Sequence, residues 1–200
     1  MTRPRSPDYD NIQESIVKQA ASLFAHRGYA ATSISDIAAA CNCSKSRLYH
    51  YFESKDAILV FMLTEHVDKL LAGCRDILAA REDEVARFRR LIRFFMEIYA
   101  VSRDKHAVML TCLEFLPANI RKDVIKKQRQ LIQIVTDVLA KIRPDRAKDA
   151  SGAHIDSMLF FGMINWTYTW FRPDGHVLPT ELADRAVSLF LDGYVKSKVS

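Results

Sequence analysis

Apolar residues recur at three- and four-residue intervals along nearly all of this chain, and only six glycines and six prolines interrupt its 200 residues. That period puts one apolar stripe on each helix, whereas a strand needs strict alternation, which no stretch here shows. The expectation is an all-α fold of about nine helices. A tail without regular structure, Met1 to Pro7, precedes a first helix opened by Asp8 or Asp10, with Ile12, Ile16, Ala20, Leu23 and Phe24 inward. Gly28 stops it in the left-handed cap position. Thr32 or Ser33 caps a short second helix, Ser44 a third over Lys45 to about Tyr51, and Ser54 a long fourth from Lys55 to about Ala79. Five more follow at about 84–101, 104–116, 119–142, 150–171 and 180–196, with breaks at Pro117, Pro144 and the RPDGHVLP stretch 172–179.

With 49% apolar and 26% charged residues, the composition is that of a globular protein with an ordinary core. No apolar run approaches the roughly 18 residues of a membrane span, and the opening MTRPRSPDYDN has no secretory hydrophobic region, so a cytoplasmic chain is expected. The net charge of +5 and pI near 9.0 suit an anionic partner without naming one. The densest cations are Arg121, Lys122, Lys126, Lys127 and Arg129, with only Asp123 among them.

The segment CNCSKSRLYHYFESK, residues 41–55, carries the chemistry. Two short helices joined by a tight turn and braced by a longer one form a helix-turn-helix. Ala38 permits a close crossing, and Asn42 tolerates the positive φ of the turn. Leu48 and Phe52, one helical turn apart, anchor the third helix, which leaves Lys45, Ser46, Arg47, Tyr49 and His50 facing outward. Arginine there suits bidentate pairing with guanine in a major groove, and serine or lysine suits base edges or phosphates. Tyr49, His50 and Lys55, with the helix starts at Thr32, Ser33 and Ser44, suit the phosphate backbone. Serine-capped polar helices also occur in bundles that bind no DNA, so on spacing alone a helical interaction module stays open.

The pattern Ile16-Val17, Ala20-Ala21, Leu23-Phe24, Gly28-Tyr29, Thr32, Ile37-Ala38, Ser44, Leu48-Tyr49, Tyr51-Phe52, Ser54-Lys55 resembles the signature of the TetR family of bacterial transcriptional regulators over roughly 50 residues. The family's turn usually has glycine where Asn42 stands. The resemblance implies a three-helix DNA-binding domain over 8–55, helix 55–79 as connector, and a domain over 80–200 that dimerises and binds an effector. It also implies a ligand-responsive repressor acting on double-stranded DNA.

Metal and enzyme chemistry find no motif. Cys41-x-Cys43 has no second pair, Cys74 and Cys112 lie on other helices, and the six histidines lack ligand spacing. No phosphate loop or nucleophile elbow appears, so no catalytic, metal or cofactor residues are expected.

In the C-terminal half, FFGMINWTYTWF at 160–171 places Gly162, Trp166 and Trp170 on one helical face, and the last helix presents Leu182, Ala186, Leu189, Phe190 and Gly193. Two such helices per subunit suit a two-fold four-helix interface through 150–171 and 180–196. A palindromic operator needs such a dimer, because its half-sites lie about 34–36 Å apart. Phe94, Phe95, Tyr99, Met109, Phe115, Asn165, Trp166, Tyr168 and Thr169 are the candidates for an effector cavity, although a stripe at helical spacing also suits core or interface. Residues 162–175 are similar to the matching segment of TetR-type regulators of fatty-acid, phenylacetate and steroid degradation, which implies an acyl-CoA effector. Its phosphates would call on Arg87, Arg89, Arg90 and Arg93 or on the 121–129 cluster, unless these are simply solvated faces.

Overall fold

The computed structural model describes residues 7–145 and 150–196, which are helical throughout apart from connecting turns. In order they form α1 (Pro7–Arg27), α2 (Ile34–Ala40), α3 (Lys45–Tyr51), α4 (Lys55–Leu78), α5 (Glu84–Val101), α6 (Arg103–Thr111), a 3-10 turn (Leu113–Phe115), α7 (Ala118–Ile142), α8 (Ala150–Asn165), α9 (Thr167–Trp170) and α10 (Pro179–Lys196). The expected tail lies outside the described residues except for Pro7, which opens α1, a position where proline's missing N–H costs nothing.

By its contacts the chain divides into two compact units. The first runs through His66 and takes in Asp104–Val124; the second comprises Val67–Arg103 and the chain from Ile125 onward. Helix α4 passes from one to the other.

Ile16, Ala20 and Phe24 of α1, Ile37 and Ala38 of α2, and Leu48 of α3 are buried in the first unit as the spacing predicts, Val17 is buried with them, and Ile12 and Leu23 are only half-buried. In the second, Phe88, Phe160 and Phe190 meet with centroids 4.9–6.2 Å apart. Ala183, Val187 and Leu191 form the buried stripe of α10, so Phe190 points toward the core rather than joining the outward set. The remaining outward positions are Leu182, Ala186, Leu189 and Gly193, of which Leu189 is 75% exposed. Helix α8 likewise leaves Ile155, Leu159 and Gly162 exposed, and Trp166 just beyond its end is exposed at the same spacing.

Two of the expected helices are broken. The one read over 104–116 stops at Thr111, whose hydroxyl donates to the Ala107 carbonyl, and continues as the 3-10 turn. The one read over 150–171 ends at Asn165 and resumes as α9. Here the Thr167 and Thr169 hydroxyls donate to the Ile164 and Trp166 carbonyls at 2.6 and 2.7 Å. Such side-chain bonds compete with the helix ladder, although Trp166 keeps right-handed helical angles and Gly162, Trp166 and Trp170 all stay exposed.

Candidate nucleic-acid interface and effector cavity

The turn between α2 and α3 is built by bonds within a few residues. Ser33 caps α2 in a reciprocal box: its hydroxyl accepts from the Asp36 N–H at 3.2 Å, and the Asp36 carboxylate accepts from the Ser33 N–H at 2.8 Å. The hydrogen bonds from the Ser33 hydroxyl and N–H hold the Asp36 carboxyl below its usual value. After Cys41, Asn42 adopts φ 50°, and the N–H groups of Asn42 and Cys43 return to the Ala39 and Ala38 carbonyls, both at 3.0 Å. Asparagine fills the left-handed position because its short side chain adds little crowding there.

Ser44 Oγ then accepts from the Arg47 N–H at 3.1 Å and starts α3. Leu48 is fully buried and Phe52 lies edge-on to Phe61 at 5.5 Å, which fixes the roll of the helix. Lys45, Ser46, Arg47, Tyr49 and His50 are consequently exposed together, Tyr49 by 51%. Tyr9 of α1 braces the far end, with its ring 4.6 Å from Tyr51 and 6.1 Å from His50. No spacing rule finds Tyr9, because its partners are some forty residues away.

Thr32 and Lys55 are placed differently from that outward set. Thr32 is buried, and its hydroxyl donates to the Gly28 carbonyl at 2.9 Å. The Lys55 ammonium donates to the Tyr29 and Thr32 carbonyls at 2.8 and 2.9 Å and lies 4.2 Å from the Tyr29 ring centroid. Tyr29 hydroxyl donates to Asp56, and its ring packs on Phe24 and Phe115 at 5.0 and 4.8 Å. Burial, then the Asp56 carboxylate, raises its phenol above the ordinary range. Lys55 and Thr32 are therefore parts of a latch that fixes the start of α4 to the end of α1.

The nine effector candidates do not converge on one place. Met109 is buried in the first unit, and Phe115 belongs there too through its contact with Tyr29. In the second unit, Phe95 stacks on Tyr99 and lies tilted against Phe161. Phe94 lies over Gly73 so closely that a Cβ on the glycine would collide with the tip of its ring. Trp166 is 63% exposed, Thr169 is exposed, and Asn165 is half-buried with a buried Oδ1 that accepts no hydrogen bond.

Tyr99 and Tyr168 do meet. With Met96, Ala100, Arg103, Thr167, Phe171 and Pro173 they enclose a cavity of about 10 Å³, into which Arg103 is fixed by donating from Nε to the Tyr168 carbonyl at 3.0 Å. Burial raises the Tyr99 phenol above its ordinary value. A more open groove of about 340 Å³ is lined by Trp170, Phe171, Arg172, Gly175, His176, Val177, Leu182 and Arg185.

The cysteines are thiols: Cys41 is half-buried and pushed up to about 11 by burial and then by Cys43, and buried Cys74 is pushed up to about 12. Among the described residues, no group of three or more His, Cys, Asp or Glu is placed to hold a metal, and no helix is long and apolar enough to cross a membrane.

Comparison with known proteins agrees with this geometry. The family described as "Bacterial regulatory proteins, tetR family" matches residues 16–60, and "Tetracyclin repressor-like, C-terminal domain" matches residues 81–194. The HTH-type transcriptional repressor KstR2 of Rhodococcus jostii is 30% identical over 179 residues, covering 87% of this chain and 86% of its own. A TetR-family transcriptional regulator from Bordetella parapertussis has a solved structure with TM-score 0.89 and 55% identity, over 96% of this chain and 100% of that one. The regulator PfmR from Thermus thermophilus gives TM-score 0.78 and 27% identity, over 88% and 97%. Proteins of this kind are dimeric, operator-binding and effector-responsive rather than enzymatic. The chain is a member of the TetR family of bacterial transcriptional regulators.

Proposed function

We propose that the protein is a homodimeric repressor that reads a palindromic operator with Lys45, Ser46, Arg47, Tyr49 and His50 and is released by a hydrophobic or acyl-CoA-type effector. The observation that carries the DNA reading is the roll of α3. With Leu48 wholly inside, Lys45, Ser46, Arg47 and Tyr49 meet solvent, and His50 is exposed beside the Tyr9 ring. Arg47 is the base reader and Lys45 the phosphate partner in this reading. The direction of control rests on the 30% identical relative, whose name is that of a repressor.

The second copy sits against the matched faces of α8 and α10. Ile155, Leu159, Gly162 and Trp166 on one, and Leu182, Ala186, Leu189 and Gly193 on the other, follow the same 4-3-4 spacing. Nothing lies within 4 Å of a Cβ built on Gly162 or Gly193, which leaves room for a facing helix. Burying such stripes about a two-fold axis is the usual interface of a four-helix arrangement. An effector releases DNA only if it binds the non-reading dimer geometry more tightly, and inverting a 1:99 population takes about 5.5 kcal/mol of that difference.

A gel shift on the DNA upstream of the protein's own gene tests the reading. Arg47→Ala is expected to weaken binding by about 1–3 kcal/mol and to flatten the preference among operator variants, with helical content unchanged. Equal affinity of the variant and wild-type proteins across such a panel rules Arg47 out as the reader.

A further inference from the structure

The arginines of α5 are largely engaged within the protein. Arg87 pairs with Glu84 and donates to the Ala80 carbonyl at 2.9 Å; Arg90 pairs with Glu82 at 2.8 Å; Arg93 makes a two-pronged pair with Asp184 at 2.7 and 2.8 Å. Lys127 of the α7 cluster pairs with Asp68 at 2.9 Å. A phosphorylated head would have to break these bonds before gaining its own.

The loop after α9 offers cations without that cost. Arg172 is exposed, and its side chain makes no ion pair among the described residues. Arg185 is 72% exposed and reaches Glu181 only at 3.7 Å. Both line the groove of about 340 Å³ together with His176, and none of the lining residues is acidic. Its volume lies in the range of small-molecule sites, about 300–1,000 Å³. Trp170 and Val177 supply apolar wall. Phe171 lines this groove and also the enclosed cavity that holds Tyr99 and Tyr168. The two spaces are thus adjacent, one cationic and open, the other mostly apolar, narrower and no larger than a water.

We propose that Arg172, Arg185 and His176 form the seat for the polyphosphate head of an amphipathic effector, whose apolar tail turns past Phe171 toward Tyr99. This rests on the effector reading above but assigns the head to residues that reading does not use. Arginine suits the role because its planar fork gives paired, charge-assisted bonds to phosphate oxygens. A tail longer than a methyl group requires Phe171 to swing aside, since the enclosed space is otherwise full.

Calorimetric titration of the full-length dimer with octanoyl-CoA, coenzyme A and octanoate tests this, alongside Arg172→Ala and Arg185→Ala, singly and together, and Arg90→Ala as the engaged control. Both groove arginines are exposed, so unliganded melting temperatures should match wild type. The expected result is binding of octanoyl-CoA and coenzyme A that falls about tenfold or more in the double variant, weakens with added salt, and is unchanged in Arg90→Ala. Wild-type affinity for octanoyl-CoA in the double variant overturns the groove assignment. If octanoyl-CoA still releases wild-type protein from operator DNA in that case, the function proposed above survives with its head site elsewhere. If the wild-type dimer binds neither octanoyl-CoA nor coenzyme A, both the groove and the thioester reading fall.

Discussion

Helices α3 and α9 are built from similar materials, short runs of hydroxyl and aromatic residues in KSRLYHY and TYTW, yet only α3 runs over the range its sequence spacing predicts. In α3 the cap at Ser44 and the anchor at Leu48 are four residues apart, so the roll is fixed by bonds the local sequence itself contains. Before and within α9 the Thr167 and Thr169 hydroxyls bond back to the Ile164 and Trp166 carbonyls, and the helix expected over 150–171 is interrupted at Trp166. The comparison teaches that a cap and an anchor within one turn predict where a helix runs, whereas hydroxyl groups inside an apolar stripe can interrupt one without a glycine or proline to announce it.

The largest expected effect probes the anchor. Leu48→Ala should cost about 2–5 kcal/mol in urea unfolding, because the side chain is fully buried, and operator binding should fall with it. If the variant is as stable as wild type, the roll of α3 is set by something other than its packing, and the contrast with α9 fails.

Next in size is the latch. Lys55→Met should destabilise the protein by about 1–2 kcal/mol, since the Tyr29 and Thr32 carbonyls lose a charged donor that is only half-buried. Retained stability together with a reduced salt slope of DNA binding would instead show that this ammonium serves a phosphate.

A smaller effect sharpens the picture of the second unit. Gly73→Ala and Phe94→Ala should be non-additive by about 1 kcal/mol: alanine at 73 collides with the ring in wild type but is a better helix former once the ring is gone. Additive values would mean that the ring swings away freely.

The smallest concerns the cap of α2. Asp36 has its carboxyl held below the ordinary 3.8, so its charge stabilises the folded state above that value, and the contribution disappears as pH falls through the folded-state value. Wild type should therefore exceed Asp36→Asn in stability near neutrality, and the two should converge in acid. A gap that persists to low pH would place the benefit outside the charge.

The outward surface of α3 was legible because its determinants lie within one helical turn of each other. Ser33 with Asp36, Ser44 with Arg47, and Asn42 at positive φ are each visible as residue types at fixed offsets. Lys55 shows the limit of that logic. Its place at the start of α4 suggested a phosphate partner, while carbonyls 26 and 23 residues earlier hold its ammonium. The effector set was less legible still: Met109 and Phe115 share the apolar character of Tyr99 and Tyr168 but lie in the other unit.

By itself, the sequence determined the all-α fold, the caps, the turn and the outward set on α3, since helix period and capping depend on hydrogen bonds between residues three or four apart. Only the tertiary structure decided that α5 arginines face acids on α5's own approach and on α10, that buried His66 and His106 stand 5.8 Å apart, and that Phe171 lies between two cavities' linings. Those arrangements join residues tens of positions apart, and their distances follow from how whole helices pack, which no local spacing encodes.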